Sequence, residues 1–192
     1  MSAAAASSAG ECANPQGPVP EKIQNLASEI LKVYTTRSAE EQSAIVNKYY
    51  REDARFVDPL MDVGTPREIN LAFFSLIKLF DSIDAQKKSL TWNEKPELPS
   101  HLQAAGLQQV VLNNQQVYHR SKTTIDLDVN TYLTIDPKTG LIVRHEDKWL
   151  NKGFKVPTFM KRGTGVMSSA MFKLFGWGKE VDKAAPPQAT QK

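Results

Sequence analysis

Apolar positions repeat at helical spacing at three places in the first half of the chain, then at strand spacing in the second half. Ile23, Leu26, Ile30, Val33 and Tyr34 form one helical stripe, with Pro20 at its start. A second helix opens at Ser38, with Glu41 three residues on as a capping box, and turns Ile45, Val46, Tyr49 and Tyr50 to one side. Residues 54–60 (ARFVDPL) read as a short strand ended by Pro59 and the following Gly64. A third helix opens at Thr65-Pro66 with Glu68 and runs through Ile69, Phe73, Phe74, Ile77, Leu79 and Phe80. It is the most apolar of the three and is expected to be largely buried.

Beyond it the period falls to two. Residues 89–92 predict a short strand, and residues 107–120 and 123–135 two long ones rich in β-branched residues. Asp136-Pro137-Lys138-Thr139-Gly140 is a turn that joins the last of these to a strand over 141–150. Helices followed by a meander of strands predict an α+β domain on an antiparallel sheet. No repeat of 20–50 residues is visible.

The ends differ from this body. Residues 1–20 are small residues, Gly and Pro, and residues 183–192 are similar; both read as flexible tails. The first stretch lacks the basic start and apolar middle of a secretory signal. Between them lie a domain over 21–150 and a C-terminal segment over 151–182. Residues 151–179 hold six Lys or Arg and no Asp or Glu, whereas residues 1–150 carry a net −3 and the 192-residue chain +3. That total is too small to argue for nucleic-acid binding. The lone cysteine, Cys12, excludes an internal disulfide framework and a cysteine-rich zinc site. No run of apolar residues reaches the ~18 needed to span a bilayer.

The basic segment groups Met167, Met171, Leu174 and Phe175 at helical spacing, with Phe172 and Trp177 at the border and Lys161, Arg162 and Lys173 nearby. Two readings stay open: an interfacial amphipathic helix with a tryptophan anchor on a membrane surface, or a lid packed across the domain. The expected location is cytoplasmic, with or without peripheral membrane contact.

Tyr49-Tyr50-x-x-Asp53-Ala54-x-Phe56-x-Asp58-Pro59, a Gly-containing loop, the capped third helix and a closing Arg144-His145-Glu146-Asp147-Lys148-Trp149 together resemble the nuclear transport factor 2-like superfamily, which includes SnoaL-like cyclases and ketosteroid isomerases. The resemblance covers residues 20–150. It implies a cone whose bent sheet wraps the long helix around an apolar pocket, with Phe56, Tyr50, Phe73, Ile77, Val143 and Trp149 as the expected wall. Strand period puts Val143, His145, Asp147 and Trp149 on one face of the last strand and Arg144, Glu146 and Lys148 on the other.

Four residues are candidates for chemistry. A carboxylate in an apolar cavity is pushed towards its neutral form, so Asp58 could shuttle a proton near neutral pH. The isomerases carry their base in a similar Asp-Pro motif and a hydrogen-bonding tyrosine on the first helix. Tyr34 lies 24 residues before Asp58, and Tyr50 matches a further tyrosine of that pattern. Where those enzymes carry a second acid, Thr131 stands here, beside Asn130. His145 and Asp147, at i and i+2, form the other constellation, in which the Asp orients the His as a base. For each of these the structural reading is the stronger: Asp58 as a turn former, the tyrosines as buried hydroxyls, His145–Asp147 as an internal ion pair. The sequence points to a binding module for an apolar small molecule or lipid. Its rival is an isomerase, dehydratase or cyclase that needs no cofactor or metal, with Asp58 or His145 as base. Family habit adds a homodimer on the outer sheet face.

Overall fold

The computed structural model describes residues 18–98, 100–103, 106–150 and 177–184. Helix α1 spans Glu21–Thr35 and α2 Ala39–Tyr49; β1 follows at once over Tyr50–Val57, then β2 over Asp62–Gly64. Helix α3 covers Pro66–Leu79, β3 Ser82–Asn93 and a short α4 Ser100–Gln103. Strands β4 (Gln108–Arg120), β5 (Thr123–Ile135) and β6 (Ile142–Trp149) come next, and α5 (Trp177–Ala184) ends the described chain.

Local chemistry explains the helix starts. The Ser38 hydroxyl accepts the Glu41 N–H at 3.1 Å. Glu41 does not complete the box on Ser38; its carboxylate accepts the Thr36 hydroxyl at 2.5 Å. At α3, Thr65 accepts from the Glu68 N–H, Pro66 holds the first turn, and the Glu68 carboxylate reaches back to the Gly64 N–H at 3.1 Å.

The six strands lie in the order β2-β1-β6-β5-β4-β3. All neighbours are antiparallel except β1 and β6, which run parallel. The sheet is therefore mixed, where sequence pattern suggested a purely antiparallel one. The strand that precedes α3 closes against the last strand, and nothing in either sequence announces that pairing.

Two strand boundaries also differ. Strand β1 begins at Tyr50, paired with Ile142, and stops at Val57 because the Asp58 carboxylate takes the N–H groups of Leu60 and Met61, both at 2.7 Å, and turns the chain. Strand β3 begins seven residues before the predicted Ser89, since Ser82 already pairs with His119. Its first half (SIDAQKK) is mostly polar and lies at the sheet edge, where backbone pairing, the burial of Ile83 and the partial burial of Ala85 hold it.

The main core sits between the helices and one sheet face, around Ile30, Val33, Val46, Ile69, Phe73 and Leu133. Helix α3 is buried on two sides, as its composition implies. Phe73 faces this core, whereas Leu71, Phe74 and Ile77 pack with Val181 of α5. An Arg67–Asp182 ion pair at 2.7 Å ties α5 down beside them.

Candidate active-site cleft

A cleft open to solvent lies between α3 and the sheet. Helix α3 and the residue after it supply Ala72, Phe73, Leu76, Leu79 and Phe80; β1 and the following turn supply Phe56, Asp58, Leu60 and Met61. Ile125 and Leu127 of β5 and Trp149 of β6 complete an apolar wall. Against it stand four polar side chains: Asp58, Tyr34 of α1, Tyr118 of β4 and Asp147 of β6. Among the described residues, no Lys, Arg or His lines the cleft.

Behind it runs a continuous buried hydrogen-bond chain. The Tyr34 hydroxyl donates to Asp147 Oδ2 at 2.5 Å and lies 2.9 Å from His145 Nε2. His145 Nδ1 is 2.6 Å from the Tyr50 hydroxyl. Thr131 donates to Asp147 Oδ1 at 2.6 Å, and Asn114 donates to Thr131 Oγ1 at 3.1 Å. Gln116 donates to Asn114 Oδ1 at 2.9 Å, and the Tyr118 hydroxyl donates to Gln116. His145 is wholly buried, edge-on to Phe56 at 4.9 Å between ring centres. Polar groups removed from water this completely are tolerable only when paired, and here each hands its hydrogen to the next.

The ionisable groups respond to that setting. Desolvation raises the Asp58 carboxyl from 3.8 to about 7; the Leu60 and Met61 N–H groups oppose the shift, and the Asp147 charge adds to it. Tyr34, Tyr50 and Tyr118 are all raised well above 10, first by burial and then by Asp147.

The structure gathers Tyr34, Asp58, Asp147, Phe56, Phe73 and Trp149 at the cleft. His145 joins them only from behind, since it reaches no part of the lining. Tyr50 likewise stands behind the wall as the partner of His145. Ile77 and Val143 lie elsewhere, each for a geometric reason. Ile77 sits about 40° round the helix from Phe73, on the Phe74 side, which faces α5. Val143 falls at a β-bulge: Thr134 pairs with Arg144 and Ile135 with Ile142, so Val143 has no partner. It turns from the main core to Leu98 and Leu107, while His145 and Asp147 stay inward. Lys161, Arg162, Met171, Phe172, Lys173 and Phe175 lie outside the described residues, and Trp177 opens α5.

Sequence reasoning missed Tyr118 and the Asn114–Gln116 link. Their signal is present, because Val110, Leu112, Asn114, Gln116 and Tyr118 follow one another at period two, all buried. It also read Thr131 in isolation, although Asp147 is its partner across the β5–β6 ladder. A carboxylate therefore does stand beside Thr131, contributed by the neighbouring strand. Among the described residues no three His, Cys, Asp or Glu gather as a metal site, and no helix is long and apolar enough to cross a membrane.

No family model matches the chain, and no curated protein does. Solved structures do. A Novosphingobium aromaticivorans protein provisionally described as an aromatic ring hydroxylase superposes with a TM-score of 0.56 at 12% identity, over 71% of this chain and 93% of that one. A second from the same organism, provisionally described as a scytalone dehydratase, gives 0.53 at 13% identity, over 71% and 87%. A protein from Jannaschia sp. CCS1, provisionally described as a SnoaL-like polyketide cyclase, gives 0.51 at 11% identity, over 70% and 91%. At such identities the likeness speaks for architecture and not for chemistry. On these superpositions the chain has the nuclear transport factor 2-like fold.

Proposed function

We propose that the cleft binds an apolar small molecule that carries one polar group, with the polar group seated between Asp58 and Asp147. The observation behind this reading is that, among the described residues, the polar lining is confined to Asp58, Asp147, Tyr34 and Tyr118 within an otherwise apolar wall. Native mass spectrometry of the gently purified full chain tests it. A bound apolar mass is expected in the wild type and is lost in Leu76→Trp, which fills the cleft. A wild type that carries no such mass, and takes up none from a panel of apolar compounds, overturns the reading.

A second reading is favoured by the Asp58 carboxyl, poised at about 7. Such a group can take and return a proton at neutral pH, as isomerisation, dehydration or cyclisation requires. Asp58 would be the base, in direct contact with substrate. His145, sealed behind Tyr34 and Tyr50, would act through them as a positioning residue. Once a substrate is known, Asp58→Asn is expected to lower turnover by about 10²–10⁴-fold. Unchanged turnover removes this reading and leaves binding.

The basic stretch over 151–179 supports, from sequence alone, an anionic membrane surface as a further partner. Flotation on vesicles containing phosphatidylserine, with the full chain and with one ending at residue 150, is expected to show binding by the full chain alone; equal binding or none overturns it.

A further inference from the structure

The hydrogen-bond directions in the buried chain restrict what the cleft can recognise. Asn114 Nδ2 faces the carbonyl oxygens of Leu112 and Val129, at 3.1 and 3.3 Å, and these can only accept. That fixes Asn114 Oδ1 as the acceptor for Gln116 Nε2, and so fixes Gln116 Oε1 as the acceptor for the Tyr118 hydroxyl. The Tyr118 hydrogen is thus spent inward, and only its oxygen lone pairs face the cleft.

The same logic runs along the other arm. Thr131 accepts from Asn114, so its own hydrogen goes to Asp147 Oδ1. The Tyr34 hydroxyl has two inner partners, Asp147 Oδ2 and His145 Nε2. Nε2 also lies 3.3 Å from Asp147 Oδ1, which places a hydrogen on Nε2 and turns the Tyr34 hydrogen to Asp147. Even in the opposite arrangement, with Tyr34 donating to Nε2, that hydrogen does not enter the cleft. Asp58 adds a further acceptor, since Leu60 and Met61 occupy its Oδ1 and leave Oδ2 for a ligand.

The cleft is therefore rich in acceptors, carries two carboxyl groups and, among the described residues, is lined by no cationic side chain. The Phe56, Phe73, Phe80 and Trp149 rings form part of its wall. A carbonyl or a carboxylate entering there would meet lone pairs opposite its own. An ammonium group would instead find charge-assisted acceptors and ring faces.

Resting on the binding reading above, we propose that the ligand of this cleft is an apolar amine held as its ammonium ion by Asp147 and Asp58. The charge of Asp147, which adds to burial in raising the three tyrosines, favours the protonated form of a bound amine, although burial acts against it.

Calorimetry of the full chain at pH 8 with four probes of one shape tests it: benzylamine, benzyl alcohol, benzaldehyde and benzoate. Benzylamine is expected to bind about tenfold or more tighter than the alcohol, with the aldehyde weaker still and benzoate undetected. The amine-to-alcohol ratio is expected to fall towards one in Asp147→Asn and to drop about threefold or more in Asp58→Asn at the rim, where folding is less at stake. Alcohol or aldehyde binding as tightly as the amine overturns the proposal and leaves the cleft a binding site for neutral ligands. A ratio unchanged in both variants also overturns it, because the preference then arises elsewhere. Failure of all four probes overturns it too, and the mass-spectrometric experiment then decides separately whether the cleft binds anything.

Discussion

Asp58 and Asp147 are the same residue on two walls of one cleft, and their surroundings could hardly differ more. Asp147 is buried at the back of its wall: each oxygen receives a hydroxyl hydrogen, from Thr131 and from Tyr34, and His145 stands behind. Asp58 sits at a turn near the mouth, half-buried, with two backbone N–H groups on one oxygen and apolar neighbours otherwise. The first carboxylate is held by designated side-chain partners, the second by a loop. Hydroxyl partners on both oxygens fix the Asp147 side chain in place, whereas Asp58 has partners on one oxygen only and burial pushes its carboxyl up to about 7.

The sharpest way to break this contrast is His145→Ala. It leaves the Tyr34 and Tyr50 hydroxyls short of a buried partner and opens a cavity among Phe56 and Phe73, at an expected cost of about 3–4 kcal/mol in urea unfolding. A loss under about 1 kcal/mol would mean that the interior is not the rigid half of the pair.

Next comes Asp58 and pH. Its folded carboxyl titrates at about 7 against 3.8 unfolded, so the folded state retains a proton that the unfolded chain releases. Stability from this group is full below pH ~4 and declines as pH rises to ~7. The groups that face it across the cleft are Asp147, Tyr34 and Tyr118. Because the mouth is open to water, the expected decline is about 1–2 kcal/mol, less than the bare shift implies. Asp58→Asn is expected to remove that part of the slope; an unchanged stability–pH curve would show that Asp58 is no less settled than Asp147.

Thr131→Val should cost about 1 kcal/mol, since Asp147 keeps Tyr34 but loses one donor and Asn114 loses one acceptor. The smallest effect belongs to Arg67→Ala. Its ion pair with Asp182 is about half exposed on both sides, so thermal unfolding should register no more than about 0.5–1 kcal/mol. A larger loss would assign α5 a structural weight equal to that of the interior.

Much of the architecture is legible because it rests on local rules. Ser38 and Thr65 cap the helices that their neighbours predict, and the β4–β5 and β5–β6 hairpins fall where the turn residues lie. The inward set His145, Asp147 and Trp149 follows from period two, and Tyr34 from a helical stripe. What escaped depends on partners distant in sequence. The parallel β1–β6 ladder and the mostly polar half of β3 are decided by backbone pairing across tens of residues, and the meeting of Thr131 with Asp147 by the exact register of the β5–β6 hairpin. Ile77 and Val143 escaped for a different reason. One lies at the border between two helix faces, and the other at a single extra residue that interrupts the strand's alternation.

That extra residue makes β6 unequal in what it can lose. Ile142 and His145 both face inward with two residues between them, and a regular strand would place only one there. Shortening the chain at Val143 would restore plain alternation and leave every acid and aromatic of the strand on its present side, forfeiting only the small contact with Leu98 and Leu107. The same shortening at Glu146 would exchange inside for outside along the rest of the strand. Insertions and deletions among descendants of this chain should therefore collect at position 143 and spare position 146.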